Sequence, residues 1–346
     1  MMELKAERGA FLMINFGIIG TNWVTQKFVE AAQTSGLYQL TGVYSRHQNT
    51  ATEFSQKNGG AQTYTNLDDF FTQGDFSTVY IASPNSLHFE QAQQALQAGK
   101  NIIVEKPAFE NQAQMERIQE LLKQHPKLRY FEAARNIHTP NFHAIEQQLK
   151  KMPVVQGASL TYMKYSSRYD QVLAGKEPNV FSLKFAGGAL QDLGVYPLYD
   201  AVTLFGMPNE FNYFPEFIQT GVDGKGVAIL QYGEFNVTLN FGKTTNSYMA
   251  SEIYGLKDTI EIDDAGELGE VAYLDETGKK TLLSKPVTDN PMLPEVRDFA
   301  RVLNDPAKPQ NQADYSYWLN LSVQVNKMLF NLRQSGKIVF YDERDN

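Results

Sequence analysis

Short apolar runs alternate with segments of helical periodicity over the first part of the chain. The apolar runs have the length and composition of buried strands and lie at residues 14–19, 40–44, 78–82, 102–104 and 128–133. The helical segments between them lie at residues 21–32, 87–98 and 112–124. Strands that alternate with helices form parallel sheets, because each connection must cross the sheet. The pattern therefore predicts a doubly wound α/β domain over residues 13–135.

The pattern changes beyond about residue 136. A helix is predicted at residues 141–150, and long alternating runs follow at residues 154–163, 226–241, 248–262 and 270–283. Turn signals at residues 232–235, 263–266 and 276–279 are typical of antiparallel strands. Two helices, at residues 293–304 and 314–334, follow these runs. We expect residues 136–346 to form an α+β domain with a large, open, mostly antiparallel sheet.

Composition excludes several classes of protein. The chain has 346 residues, of which 42% are hydrophobic, and a net charge of −8 without a run of basic residues. A nucleic-acid or anionic membrane surface needs clustered Lys and Arg, so neither partner is expected. The absence of cysteine excludes disulfides, thiolate catalysis and cysteine-ligated metal sites. No apolar run reaches membrane-spanning length, and we expect a cytoplasmic protein with a disordered leader at residues 1–12.

The segment that follows the first predicted strand reads GIIGTNWVT and spans residues 17–25. A dinucleotide fold needs a tight turn here and free amides at the start of the helix to bind a pyrophosphate. Gly20 supplies the turn, but Asn22 and Thr25 stand where further glycines are usual. Asn22 tolerates a left-handed conformation better than most residues, which keeps the turn possible. The loop is therefore an incomplete dinucleotide motif.

The end of the second predicted strand indicates which dinucleotide would bind. A carboxylate about 20 residues after the glycines would select NAD by binding the ribose 2′-hydroxyl. This chain has Ser45 and Arg46 instead, a hydroxyl and a guanidinium that could bind the 2′-phosphate of NADP. The alternative is that Arg46 simply faces solvent after a strand.

Three side chains in two short segments could oxidise an alcohol. Lys106 follows a buried run in the sequence VEKP, and Asp192 and Tyr196 lie in GGALQDLGVY. Partial burial and a nicotinamide cation would lower the pKa values of Lys106 and Tyr196, so that Tyr196 exchanges the proton and Lys106 stabilises the alkoxide. Asp192 could orient Lys106 or bind a sugar hydroxyl, since residues four apart share a helix face. The alternatives are a solvated Lys106, a helix-capping Asp192 and a core Tyr196.

The segments GIIGTNW, YSR, ASPNSLH, EKP, EAARNIHTP and GGALQDLGVYPLYD, in this order, resemble the Gfo/Idh/MocA oxidoreductase family over nearly the whole chain from Met13. Within the family the chain most resembles the branch of dimeric dihydrodiol dehydrogenase, NADP-dependent xylose dehydrogenase and glucose-fructose oxidoreductase. That branch has Tyr rather than His after its Asp-x-Gly segment, as Tyr196 follows Asp192 here. The resemblance implies an N-terminal Rossmann domain, NADP in a cleft beside an open-sheet domain, and Lys106 with Tyr196 as catalytic pair beside Asp192. The Trp-x-Arg of this branch is absent after Glu132 and Ala133.

The candidate site residues follow from these motifs and from the resemblance. The candidate catalytic residues are Lys106, Tyr196 and Asp192. The candidate cofactor-binding residues are Gly17, Gly20, Thr21, Asn22, Trp23, Ser45, Arg46, Ser83, Pro84, Asn85, His88, Glu105 and Lys106. The candidate substrate-binding residues are Arg135, Arg168, Asp192 and Tyr196. No metal is expected, because His88 and His138 lack the spacing of metal ligands.

Together these features predict an NADP-preferring dehydrogenase or reductase. It would transfer a hydride between nicotinamide and a secondary alcohol or carbonyl of a sugar, polyol or cyclic diol. The incomplete glycine motif and the missing Trp-x-Arg slightly favour an alternative, a non-catalytic NADP-binding regulator, whereas the intact set of Lys106, Asp192 and Tyr196 favours the enzyme. A scaffold without dinucleotide is the third possibility. A homodimer through the second domain is expected, because a broad apolar sheet face is costly to leave in water.

Overall fold

Six parallel strands form the first sheet in the computed structural model, which describes residues 12–343. They are β1 (Ile14–Ile19), β2 (Tyr38–Tyr44), β3 (Gln62–Tyr64), β4 (Thr78–Ile81), β5 (Asn101–Glu105) and β6 (Tyr130–Ala133). Their order is β3-β2-β1-β4-β5-β6, so the winding direction reverses between β1 and β4 and leaves a crevice beyond their carboxyl ends. The doubly wound α/β fold is confirmed. The leader expected at residues 1–12 lies outside the described residues, apart from Leu12.

Helices on both faces connect these strands. They are α1 (Trp23–Ser35), α2 (Gln48–Lys57), α3 (Leu67–Gln73), α4 (His88–Gln97) and α5 (Gln112–Gln124). The bounds of α5 are as predicted, because Asn111 caps its first turn by accepting a hydrogen bond from Gln114 N. No element is predicted between residues 45 and 77, where the chain forms α2, β3 and α3. The strand β3 has only three residues, too few for an alternating pattern to be visible.

Eight strands form the second sheet. They are β7 (Gly157–Met163), β8 (Glu210–Phe217), β9 (Asp223–Gln231), β10 (Asn236–Gly242), β11 (Ser251–Tyr254), β12 (Thr259–Ile262), β13 (Val271–Leu274) and β14 (Lys280–Leu282). In the order β14-β13-β12-β11-β7-β10-β9-β8, only the pair β7 and β10 is parallel among the described pairings. The mostly antiparallel sheet is confirmed. The run predicted at residues 248–262 is two strands, and β8, an edge strand with few buried residues, is not predicted at all.

The remaining helices follow β6 in the chain. They are α6 (Pro140–Leu149), α7 (Tyr169–Leu173), α8 (Val195–Phe205), α9 (Leu293–Asn304) and α10 (Pro309–Ser335). The helix α9, expected in the second domain, instead buries Val296 and Phe299 in the core of the first sheet, around Phe28 and Phe131. The helix α10 packs against both cores. Among the described residues no helix has the length and apolar character needed to cross a membrane.

Candidate functional site

The loops after β1 and β4 are held together at the reversal point of the first sheet. Gly20 has φ +101°, and a Cβ atom there would lie 2.6 Å from the Ala82 carbonyl oxygen. The Asn22 amide donates to that same oxygen at 2.8 Å, while its carbonyl oxygen accepts from Thr25 N at 3.0 Å and caps α1. Asn22 has φ −83°, so the left-handed conformation considered for it is not used. Gly20 alone makes the turn.

The geometry of this turn fits a dinucleotide pyrophosphate. Only glycine leaves room for the close approach of the two loops, and the start of α1 points its first amides at the crevice. Thr21 is half-buried beside Gly20, and Trp23, the first residue of α1, is 70% exposed. These residues would hold the phosphates through backbone amides, which needs no further glycine.

Gly17, Ser45 and Arg46 are expected from the sequence to bind the cofactor, and they differ in their surroundings. Gly17 lies within β1, where Phe70 and Phe76 occupy the space of a side chain, so it serves to pack α3 and the following loop against the sheet. Ser45 and Arg46 directly follow β2, whose last residue pairs with the end of β1. Arg46 is exposed there, at the edge of the crevice. Gly17 therefore serves packing in this structure rather than the cofactor contact expected from the sequence, and the cofactor contacts of Ser45 and Arg46 remain predictions.

The loop after β4 is fixed by its own side chains. Ser83 Oγ donates to Gln91 Oε1 at 2.7 Å, and Pro84 precedes a short 3₁₀ turn that begins at Asn85. The Asn85 amide donates to the Ala186 carbonyl oxygen at 2.9 Å, which links this loop to the segment before Asp192.

His88 and Glu105 are turned towards protein partners. The buried His88 ring lies 2.9 Å from the Ser83 carbonyl oxygen and 3.2 Å from the Pro107 carbonyl oxygen, and burial lowers its pKa. Glu105 accepts from the Tyr80 hydroxyl at 2.5 Å, and burial raises the pKa of this carboxyl. Because both side chains are buried and engaged, they hold the loops after β4 and β5 in place.

The structure brings Lys106, Asp192 and Tyr196 together from two distant segments. Lys106 Nζ donates to the Asp192 carbonyl oxygen at 2.8 Å and to Asp192 Oδ1 at 3.2 Å. The same ammonium lies 4.7 Å from the centre of the Tyr196 ring. Asp192 belongs to a π-helical turn at Leu190–Gly194 that continues into α8, and its carboxylate does not cap a helix. This geometry therefore excludes two of the alternatives, a solvated Lys106 and an Asp192 that caps a helix.

The side chains around Lys106 favour its protonated form. Burial alone would lower its pKa, but the electrostatic influence of Tyr196 and the negative charge of Asp192 outweigh burial and raise the pKa above its usual value. This differs from the lowering expected from the sequence, which depends on a nearby nicotinamide cation. Lys106 therefore serves this site as a hydrogen-bond donor and a positive charge.

Arg135 and Glu267 form a second ion pair beside Tyr196. Arg135 Nη2 lies 3.0 Å from Glu267 Oε2, and its guanidinium lies 5.2 Å from the centre of the Tyr196 ring. The Tyr162 hydroxyl donates to Glu267 Oε1 at 3.0 Å, and its ring meets Tyr196 edge to face. Glu267 and Tyr162 are not predicted from the sequence, because neither lies in a recognisable motif. Arg168 is exposed just before α7 and forms no ion pair with a described residue.

Lys243 is a further residue that sequence reasoning misses. It follows β10 directly, is 1% exposed, and its Nζ lies 2.7 Å from Asp192 Oδ2. The signal that could have found it is topological, since β7 and β10 run parallel and end at the same edge of the sheet. Asp192 is thus held between two lysines, which keep its pKa below the usual value although its partial burial acts in the opposite direction.

The chain is similar to known oxidoreductases over nearly its whole length. The Gfo/Idh/MocA model, described as an oxidoreductase family with an NAD-binding Rossmann fold, matches residues 14–133. The uncharacterized oxidoreductase YgjR of Escherichia coli is 38% identical over 95% of this chain and 98% of its own. The scyllo-inositol 2-dehydrogenase (NADP(+)) IolU of Bacillus subtilis is 36% identical over 85% and 89%. The 3-ketoreductase KijD10 of Actinomadura kijaniata, solved with NADP and TDP-benzene, superposes with a TM-score of 0.82 at 20% identity, covering 93% and 97%.

Proposed function

Because the chain belongs to the Gfo/Idh/MocA oxidoreductase family, we propose that it is an NADP-preferring dehydrogenase or reductase for sugars, polyols or cyclic diols. The resemblance and the two-sheet architecture predicted from the sequence are confirmed. The chain is therefore an oxidoreductase with a nicotinamide-dinucleotide-binding Rossmann fold. The preference for NADP, the substrate class and the roles of single residues are the proposal.

The observation that carries the proposal is the convergence of Lys106, Asp192 and Tyr196. Bound nicotinamide supplies or accepts the hydride. Lys106 has three N–H donors, two of which point at Asp192, so the third is free to hold the substrate oxygen and stabilise negative charge there. Tyr196 gives a proton to that oxygen or accepts one from it. Asp192 orients Lys106 by accepting hydrogen bonds from its ammonium group at the backbone carbonyl oxygen and at Oδ1.

Substrate recognition is proposed for Arg135, Arg168, Asp192 and Tyr196. The Arg135 guanidinium lies against Tyr196, and its Nη1 makes no hydrogen bond of ordinary geometry with the described residues, so we propose that it donates to a substrate hydroxyl. The relative IolU bears the name of a dehydrogenase of scyllo-inositol, a cyclic polyol, that uses NADP. That name supports both the substrate class and the cofactor proposed here.

The preference for NADP is tested by titrating the protein with NADPH and NADH and following nicotinamide fluorescence. In the variant R46A we expect the Kd for NADPH to rise about tenfold, because a charge-assisted bond to phosphate contributes about 1.5–3 kcal/mol. The Kd for NADH should change little. The matched control is R117A, which removes a partly exposed arginine of α5 paired with Glu120. Equal weakening of both cofactors in R46A would contradict the assignment.

Turnover separates the enzyme from its alternatives. With NADP⁺ and a panel of scyllo-inositol, xylose and a trans-dihydrodiol, the proposal requires NADPH formation with at least one of them. Tight NADPH binding without turnover of the panel would favour the regulator, and no binding of either cofactor would favour the scaffold.

The second domain is proposed to form a homodimer through the open face of its sheet. The limits proposed are residues 13–135 for dinucleotide binding and 136–346 for substrate binding and dimerisation, with α9 packed on the first core. Phe214 on the edge strand β8 is 59% exposed on the face opposite the buried Tyr213, which supports a covered open face of the sheet. Size-exclusion chromatography with light scattering at micromolar concentration should give twice the mass of one chain, and a monomer would contradict the dimer.

A further inference from the structure

Lys243 is a buried amine that forms three contacts. Its Nζ lies 2.7 Å from Asp192 Oδ2, donates to the Val180 carbonyl oxygen at 2.9 Å, and lies 4.3 Å from the centre of the Phe181 ring. Removing an ammonium group from water costs several kcal/mol, so a lysine is buried to this extent only where a partner offsets the cost. The carboxylate of Asp192 is that partner.

Asp192 divides its two oxygens between two lysines. Oδ1 lies 3.2 Å from Lys106 Nζ, and Oδ2 lies 2.7 Å from Lys243 Nζ. A carboxylate held at both oxygens cannot rotate freely, and its charge lies closer to Lys243 than to Lys106. Because Coulomb attraction falls with distance, Lys106 is only partly neutralised by Asp192.

We propose that Lys243 is a positioning residue of the reaction: it fixes Asp192 and takes up much of its negative charge, so that Lys106 keeps positive charge and a free N–H for the substrate oxygen. The inference rests on the proposed function for its effect on turnover. Its effect on Lys106 itself is independent of any substrate. Without Lys243, Asp192 pairs with Lys106 alone, and the repulsion between the two ammonium groups disappears. Both changes stabilise the protonated form of Lys106.

The first measurement is the reactivity of Lys106 towards acetic anhydride as a function of pH, read by mass spectrometry of the peptide that contains it. Only the free amine reacts, so a higher pKa slows labelling at a given pH, by tenfold for each unit. In the variant K243M we expect Lys106 to react at least about threefold more slowly than in the wild type at pH 9. In K243R, which keeps the charge, labelling should stay within about twofold of the wild type.

The matched control is K225M. Lys225 lies on β9 opposite Gly242, the residue before Lys243, and pairs with Glu216 on the surface. Its removal should leave the labelling of Lys106 unchanged. If K243M does not fold, K243Q replaces it, because an amide still donates to the Val180 carbonyl oxygen without carrying a charge. Unchanged labelling of Lys106 in a folded K243M or K243Q would overturn the proposal, and so would equal slowing in K243R.

Turnover is the second measurement. With a substrate identified in the panel above, K243M should lower kcat about 10- to 100-fold, while the Kd for NADPH changes less than about twofold and K243R recovers most of the rate. A loss of NADPH binding in K243M would indicate a merely structural role and contradict the proposal. If no substrate is turned over by the wild type, the proposed function fails, and the labelling of Lys106 still decides the role of Lys243.

Discussion

Most buried charged residues of this protein have a partner of opposite charge or a hydrogen-bond donor, and Glu295 is an exception. It lies in the first turn of α9, is 0% exposed, and neither carboxylate oxygen has a hydrogen-bond partner among the described residues. Burial, together with the nearby charge of Glu105, raises the pKa of this carboxyl well above its usual value. The folded protein therefore holds a proton on Glu295 up to a higher pH than the unfolded chain does.

The free energy of unfolding should consequently decrease as the pH rises, because of the ionisation of Glu295. Below the unfolded pKa of about 4.5 both states are protonated and this group has no effect. Above that pH the unfolded chain ionises first, so the free energy of unfolding decreases by up to about 1.4 kcal/mol per pH unit until the folded pKa is passed. The variant E295Q cannot ionise, and its Tm relative to wild type should rise steadily from pH 4 to pH 8. The exposed E234Q should show no such trend, and a constant difference for E295Q would refute the argument.

Lys106 is the residue whose loss should affect chemistry alone. In K106M we expect kcat to fall roughly 10²- to 10⁴-fold, since the substrate oxygen loses its charged donor, while NADPH affinity stays nearly intact. Steady-state rates and NADPH fluorescence titration check the two parts. K100M, which removes a lysine bound to the carbonyl oxygens of Gly74 and Phe76, is the control. An unchanged rate in K106M would remove Lys106 from the mechanism.

The residues of the candidate site differ in how far the sequence predicts them. Lys106, Asp192 and Tyr196 stand beside local signals, a buried strand before one and a double glycine before the others, and the structure brings them together. Lys243 and Glu267 carry no such signal. They reach the site only because strands and loops distant in the chain end at one edge of the second sheet, and that pairing depends on tertiary packing.

At the scale of elements, the turn after β1 depends on a single glycine. Gly20 combines a positive φ with a backbone oxygen in the place of a Cβ, whereas Gly36, the C-cap of α1, has φ +68° and open space around it. Both positions have a positive φ that favours glycine, but only at Gly20 would a Cβ atom also clash with a backbone oxygen.

We expect G20A to lower the free energy of unfolding by about 2–4 kcal/mol, from left-handed strain and the displacement of the loop after β4. G36A should cost only about 1 kcal/mol from strain alone. Urea unfolding measures both, and NADPH titration should show weaker binding for G20A only. Equal losses of stability in the two variants would mean that the close approach to Ala82 is unimportant.

Helices with a clear apolar periodicity are predicted well, and short or exposed elements are not. The bounds of α5 and α9 match the predicted helices, and the start of α1 moves to Trp23 because Asn22 caps it. The strand β8 is missed because its position at the sheet edge leaves most side chains exposed, which removes the alternation of apolar and polar residues.

At the scale of the whole molecule, α10 belongs to both cores. Leu321 and Leu332 are buried with the second sheet, while Leu319 and Val323 pack against the core of the first. The chain order therefore does not separate the two halves, because α9 and α10 return to the first sheet after the second is complete. A single domain boundary predicted from sequence periodicity therefore cannot show that α9 and α10 pack against the first sheet.

The shared helix predicts that both sheets lose stability together. L332A should lower the free energy of unfolding by about 2–5 kcal/mol, the usual cost of a buried Leu to Ala change. Native-state hydrogen exchange should show the same decrease for the slowest amides of β1 and of β9. L256A, at a residue that is 65% exposed, should change neither. A decrease confined to β9 would mean that the halves unfold independently.

The parallel pairing of β7 with β10 also sets an order of events during synthesis. The strand β7 is central in its sheet, yet both neighbours, β10 and β11, leave the ribosome about 80 residues or more after it. Until then both of its edges carry unpaired backbone groups, and such edges pair readily with other chains. The strands of the first sheet, β1 to β6, all precede β7 in the chain, so they can pair before that time. A newly made chain is therefore most exposed to aggregation in the interval between β7 and β10.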